Sequence, residues 1–111
     1  MADGELILRK WTGVIRTADE GKYVDYISQT GTADYAATPG NRGFQMLLRE
    51  IGDGRSEVTT LSWWDSLDAI RGFAGENIEV ARYYPEDGRF LLERPPNVVH
   101  HRVVTRSWNE P

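Results

Sequence analysis

The chain of 111 residues contains no cysteine. That excludes disulfides, thiolate metal sites, iron–sulfur ligation and cysteine nucleophiles together. Histidine is almost as scarce, with only two, His100 and His101. Positive charge is not in excess: the formal net charge is −4 and the pI is near 5.1. A nucleic-acid partner needs a basic face to displace counterions, so none is expected. No apolar run approaches the roughly 20 residues of a membrane span. Met1–Glu5 is acidic and lacks the basic and apolar regions of a secretory leader. No membrane partner is expected, and a cytoplasmic location is the default. No glycine-rich nucleotide loop follows a strand, and neither an HExxH helix nor a Gly-x-Ser-x-Gly elbow is present.

What is present suits a folded domain: 40% hydrophobic and 27% charged residues, with no repeat or low-complexity tract. The length fits a single domain spanning 1–111, with a core over about 6–104 and a tail at 106–111. Residues 6–15 (LILRKWTGVI) read as a first strand. Thr17 followed by Glu20 has the capping-box form, and Tyr23, Tyr26, Ile27 and Thr30 recur at helical spacing. A helix is expected over 18–30, with an optional extension past Gly31 towards Ala37. Thr38-Pro39-Gly40-Asn41 reads as a type II turn. Strands over 43–50 and 57–63 form a hairpin with a loop of about five residues.

A second helix starts at Asp65 or Ser66 and stops at Gly75. A short extra helix over 76–82, a loop over 83–88, a short strand over 90–93 and a last strand over 98–105 complete the chain. The fold class expected is α+β: a ferredoxin-like β-α-β-β-α-β antiparallel sheet with an added strand and the helices on one face. The bare face of such a sheet needs cover, and a second copy of the chain commonly supplies it. A homodimer through the sheet face is therefore expected.

The run Glu57-Val58-Thr59-Thr60-Leu61-Ser62-Trp63-Trp64-Asp65-Ser66-Leu67-Asp68-Ala69-Ile70, with Gly43-Phe44 and the closing strand, resembles the antibiotic biosynthesis monooxygenase family of the dimeric α/β-barrel superfamily. The resemblance spans about 6–104 and implies a dimeric α/β barrel. It also implies cofactor-independent oxygenation of an aromatic, polyketide- or quinone-like molecule, with no cofactor and no metal. Haem-degrading relatives would place a Trp and a haem-ligating His at positions 73 and 83, and an Asn on the first strand. Here those positions are Phe73 and Tyr83, and residues 6–15 hold no Asn. The haem branch is disfavoured.

Oxygenation without a cofactor needs an aromatic pocket, a base and donors that hold an anion. The expected pocket lies between sheet and helices, walled by Trp64, Phe73 and Tyr83, with Tyr84 and Arg102 as further binding candidates; a volume of about 300 Å³ or more favours an enzyme or binder, and a collapsed interior counts against oxygenation. His100 and His101 are candidate bases, with a tyrosine as the alternative. Adjacent strand residues point to opposite faces, so the two cannot readily chelate one metal. The apolar company of His101, between Val99 and Val103, makes it the expected buried one. Each feature also has a plain reading: a solvated strand histidine, a packed tryptophan, strand arginines facing solvent, and local capping for Asp19-Glu20, Asp53 and Glu86-Asp87. A non-catalytic dimeric ligand-binding or structural module on the same fold is the alternative function.

Overall fold

The computed structural model describes residues 6–107. The leader reading of 1–5 and the last residues of the expected tail lie outside them. β1 (Ile7–Arg16) is the central strand. Strand alternation turns Ile7, Arg9, Trp11 and Ile15 to one side and Leu8, Lys10, Thr12 and Val14 to the other. A 3-10 turn at Thr17–Asp19 leads into α1 (Glu20–Gln29) and α2 (Gly31–Ala37). The capping box does not form. The Thr17 hydroxyl instead meets Ser56 Oγ at 2.8 Å, and Ser56 donates to the Glu20 carboxylate at 2.5 Å. The helix does continue past Gly31, but Thr30, at φ −124° and ψ −92°, breaks it into two.

Gly40 makes the turn into β2 (Asn41–Gly52), with φ 90° and a bond of 3.2 Å from the Asn41 N–H to the Thr38 carbonyl. A Cβ there would sit 2.4 Å from that of Ala69, so the turn and the helix that carries Ala69 approach too closely for any other residue. β3 (Arg55–Trp64) follows. The loop between them is tighter than the expected five residues: Asp53 and Gly54 alone make it, both at positive φ (55° and 72°). Those are the angles of a type I′ turn, which suits Asp-Gly and matches strand twist.

α3 (Leu67–Ala74) begins where the Ser66 hydroxyl accepts from the Ala69 N–H at 3.0 Å, and ends at Gly75, φ 89°. The short helix expected over 76–82 is absent. That stretch pairs its backbone with 96–98 instead, Ala81 N–H to the Pro96 carbonyl and Val98 N–H to the Glu79 carbonyl, both at 2.8 Å. One helical turn, α4 (Asp87–Phe90), then takes part of the expected loop. β4 (Leu91–Glu93) and β5 (Val99–Arg102) are shorter than expected.

All strand pairs are antiparallel in the order β2-β3-β1-β4, with β5 also on β1. This is the ferredoxin-like plan with an added strand. The helices cover one face through two clusters. Ile7, Tyr35, Trp64, Ile70 and Phe73 form one, and Ile15, Tyr23, Ile27, Val58 and Leu91 the other. The opposite face carries Leu47 and Val99, 46% and 55% exposed, with Leu61 and Trp63 half-buried beside them.

Candidate functional site

Between the two clusters lies a cavity. Its floor is Arg9, Trp11 and Thr60 of the sheet, its roof is Tyr23 and Tyr35 of the helices, and its mouth is Arg82, Tyr83 and Tyr84. Its volume is about 40 Å³, room for a few waters. Ligand pockets run to roughly 300–1,000 Å³, so the expected spacious pocket is corrected to a nearly closed one.

Arg9 dominates its electrostatics. Alternation along β1 turns this side chain under the helices, where it is 2% exposed. Its guanidinium donates to the Ile78 carbonyl at 2.5 Å, the Val80 carbonyl at 3.2 Å and His100 Nε2 at 3.1 Å. It also lies 5.7 Å from the centroid of the Phe73 ring. No carboxylate of the described residues pairs with it. Burial pulls its pKa down. A desolvated cation held by carbonyls keeps a strong attraction for an anion.

His100 stands behind Arg9. Arginine can only donate, so His100 Nε2 accepts and the ring is neutral, with its proton on Nδ1. Burial first, then the Arg9 charge and His101, push its pKa down to about 4.

Tyr83 and Tyr84 are fixed in place. The Tyr83 hydroxyl accepts from Trp11 Nε1 at 3.1 Å and donates to the Pro95 carbonyl, while Arg94 stacks on its ring. The Tyr84 hydroxyl donates to Asp34 at 2.5 Å, and Arg82 pairs with the same carboxylate at 3.2 Å. Burial raises both phenol pKa values, which leaves neither ready to take a proton near neutrality.

Asp87, the first residue of α4, also lines the cavity and is 2% exposed. Its Oδ2 accepts from the Tyr84 N–H at 2.5 Å, while Oδ1 is buried and has no hydrogen-bond partner among the described residues. Burial raises its pKa, against the Tyr84 bond and the Arg94 charge.

No family model matches the chain, and no curated protein matches it. Solved structures do. A candidate antibiotic biosynthesis monooxygenase from Bacillus cereus superposes with a TM-score of 0.63 at 16% identity, over 96% of this chain and all of that one. A haem-degrading protein from Mycobacterium tuberculosis gives 0.57 at 16%, over 96% and 99%. SnoaB, a cofactor-independent oxygenase from Streptomyces nogalater, gives 0.52 at 18%, over 96% and 97%. The chain has the fold that these proteins share. At such identities the likeness extends to the fold alone.

Of the residues singled out in the sequence, Phe73, Tyr83 and Tyr84 meet at the cavity. Trp64 does not wall it. It is fully buried behind Phe73, ring centroids 5.8 Å apart, with its indole N–H on Ser62 Oγ. Neither histidine lines the cavity: His100 reaches it only through Arg9, and His101 lies on the open face opposite Leu8. Their expected burial is reversed, because His100 shares the covered side with Arg9 while His101 is exposed. Arg102 lies at the exposed end of β5.

From sequence, Arg9 is expected to face solvent, like Arg49 and Arg102, with an inward place against a carboxylate or an anionic ligand as the alternative, and Asp87 is expected to be a local cap. The only available signal was the inward parity of Arg9 with Ile7, Trp11 and Ile15. No metal-binding cluster of three histidine or acidic side chains exists among the described residues.

Proposed function

We propose that this chain is a small-molecule oxygenase that works without a cofactor on a compact aromatic phenol or enol. Arg9 carries the reading: a buried guanidinium with no carboxylate partner among the described residues, set in an aromatic cavity. It suits an anion on a flat ring, and such an anion is what cofactor-free oxygenation requires. Loss of a proton leaves an enolate oxygen against Arg9. The carbanionic carbon then passes an electron to dioxygen, and the radicals combine to a peroxide. Loss of water leaves a new carbonyl, so a methylene and dioxygen become a ketone and water.

In this reading the substrate enters past the side chains of Arg82 and Tyr84, which release Asp34 while the Tyr84 N–H keeps its bond to Asp87. A second copy covers the open face around Leu47 and Val99. The small cavity volume favours one other reading, a non-catalytic dimeric module whose interior stays shut. Oxygen uptake with a panel of anthrones and hydroquinones separates the two. Stoichiometric uptake supports the oxygenase, and no uptake with any of them leaves the module.

A further inference from the structure

Two features of the cavity call for more than a single anion site. Arg9 stands at the end where its guanidinium lies against Phe73, within the Trp64 cluster. Asp87 stands towards Tyr23, which belongs to the second cluster. Trp11 and Thr60 of the sheet line the same cavity. The lining therefore carries two cations, Arg9 and the Asp34-paired Arg82, and one carboxylate, Asp87, among aromatic walls.

Asp87 is the less explained of the two. A buried carboxylate oxygen without a hydrogen bond is costly, and native structures seldom tolerate one without a use. Oδ2 is already held by the Tyr84 N–H, which fixes the carboxylate and leaves Oδ1 as the free acceptor. The groups around it are Tyr23 and Tyr26 of α1, Tyr83 in the coil, Arg94 after β4 and the neighbouring Glu86. None of them gives Oδ1 a proton.

Resting on the ligand reading above, we propose that Asp87 is the proton acceptor of this site, taking a hydroxyl proton from a substrate whose conjugated carbonyl lies against Arg9. The substrate class is thereby named as a vinylogous acid, a hydroxyaryl ketone or hydroxyenone. The bond broken is the substrate O–H. Its proton goes to Asp87 Oδ1, and the electron pair moves through the ring to the carbonyl oxygen, where Arg9 meets it. A plain phenol is too weak an acid for a carboxylate to deprotonate well, whereas conjugation to a carbonyl brings the two closer. The raised pKa of Asp87 narrows the gap further.

The probe is 4-hydroxyacetophenone, whose ionised form absorbs at longer wavelength, with 4-methoxyacetophenone as the form that has no proton to give. At pH 6 wild-type protein should quench its tryptophan fluorescence with both probes and show the ionised band only with the hydroxy compound. Asp87→Asn, which keeps an acceptor for the Tyr84 N–H, should still bind and lose that band. Calorimetry of the wild-type in buffers of different ionisation enthalpy checks the same point without a variant. Internal transfer releases no proton to the buffer, whereas capture of the anion from solution releases one per ligand bound.

Binding without the band, a band that Asp87→Asn retains, or release of a proton by the wild-type would each overturn Asp87 as acceptor while leaving the ligand site standing. Failure of the wild-type to bind either probe would overturn both.

Discussion

Replacing His100 by Gln should remove a specific sensitivity to acid. Above pH 6.5 neither the folded nor the unfolded chain protonates this ring, and it contributes nothing to the pH dependence. Below that, the unfolded chain takes up a proton that the folded one refuses, since burial and Arg9 hold the folded pKa near 4. Stability therefore falls as pH drops from 6.5 to about 4 and levels off beneath. The full linkage for that interval is at most about 3 kcal/mol. The ring is only half-buried, so solvent screening reduces it to roughly 1–2 kcal/mol. Protonation would cost Arg9 its acceptor and set a second cation 3.1 Å from the first. Gln can still accept from Arg9 and does not titrate in this range. Urea unfolding at pH 7.5 and pH 4.5 measures the effect, which should be smaller in His100→Gln by that roughly 1–2 kcal/mol. Parallel losses in the two proteins would refute the placement of a neutral His100 behind Arg9.

Two further outcomes concern the fold and the assembly. Gly40→Ala should cost roughly 2–4 kcal/mol in thermal or urea unfolding, from its positive φ plus the collision with Ala69. Gly21→Ala, on an open helix surface where a Cβ meets nothing, should instead stabilise by about 0.5–1 kcal/mol. In gel filtration the wild-type should run near twice its 12.6 kDa chain mass. Val99→Glu, on the exposed sheet face, should return it to the monomer with its circular dichroism unchanged. A wild-type monomer would remove the partner from the account.

Much of the fold was legible because its signals are local. The joint at Trp63-Trp64-Asp65-Ser66 combines strand alternation with a hydroxyl cap, and both operate over a few residues. The same holds for Gly40 and Gly75, whose positive φ values end a turn and a helix. The errors lie where distant backbone decides. Residues 76–82 look helical by composition, yet their amides and carbonyls find partners at 96–98. The capping box at Thr17 and Glu20 was undone by Ser56, which is 36 residues from Glu20.

The site was harder to see for the same reason. Asp87 is buried beside a stretch tied to the helices through Arg82 and Tyr84 on Asp34 and Glu86 on Tyr26, contacts that nothing near Asp87 in the sequence announces. The burial of the histidines turned on which face of β5 meets Arg9, a question of register with β1. Arg9 was the one key residue within reach, since its parity with Ile7 and Ile15 already pointed inward. Strand arginines mostly face solvent, and here tertiary structure overrides that tendency.

The central claim is that Arg9 holds the anion of an aromatic ligand. It is tested most directly by titrating 4-hydroxyacetophenone into wild-type, Arg9→Lys and Arg9→Met proteins above the pKa of the free phenol, followed by tryptophan quenching. Circular dichroism should confirm that each variant is folded, because Met leaves the Ile78 and Val80 carbonyls without their donor. Loss of a charge-assisted bond predicts affinity weakened roughly ten- to hundredfold in Arg9→Met and partly restored in Arg9→Lys. Equal affinity in wild-type and a folded Arg9→Met protein would contradict the claim.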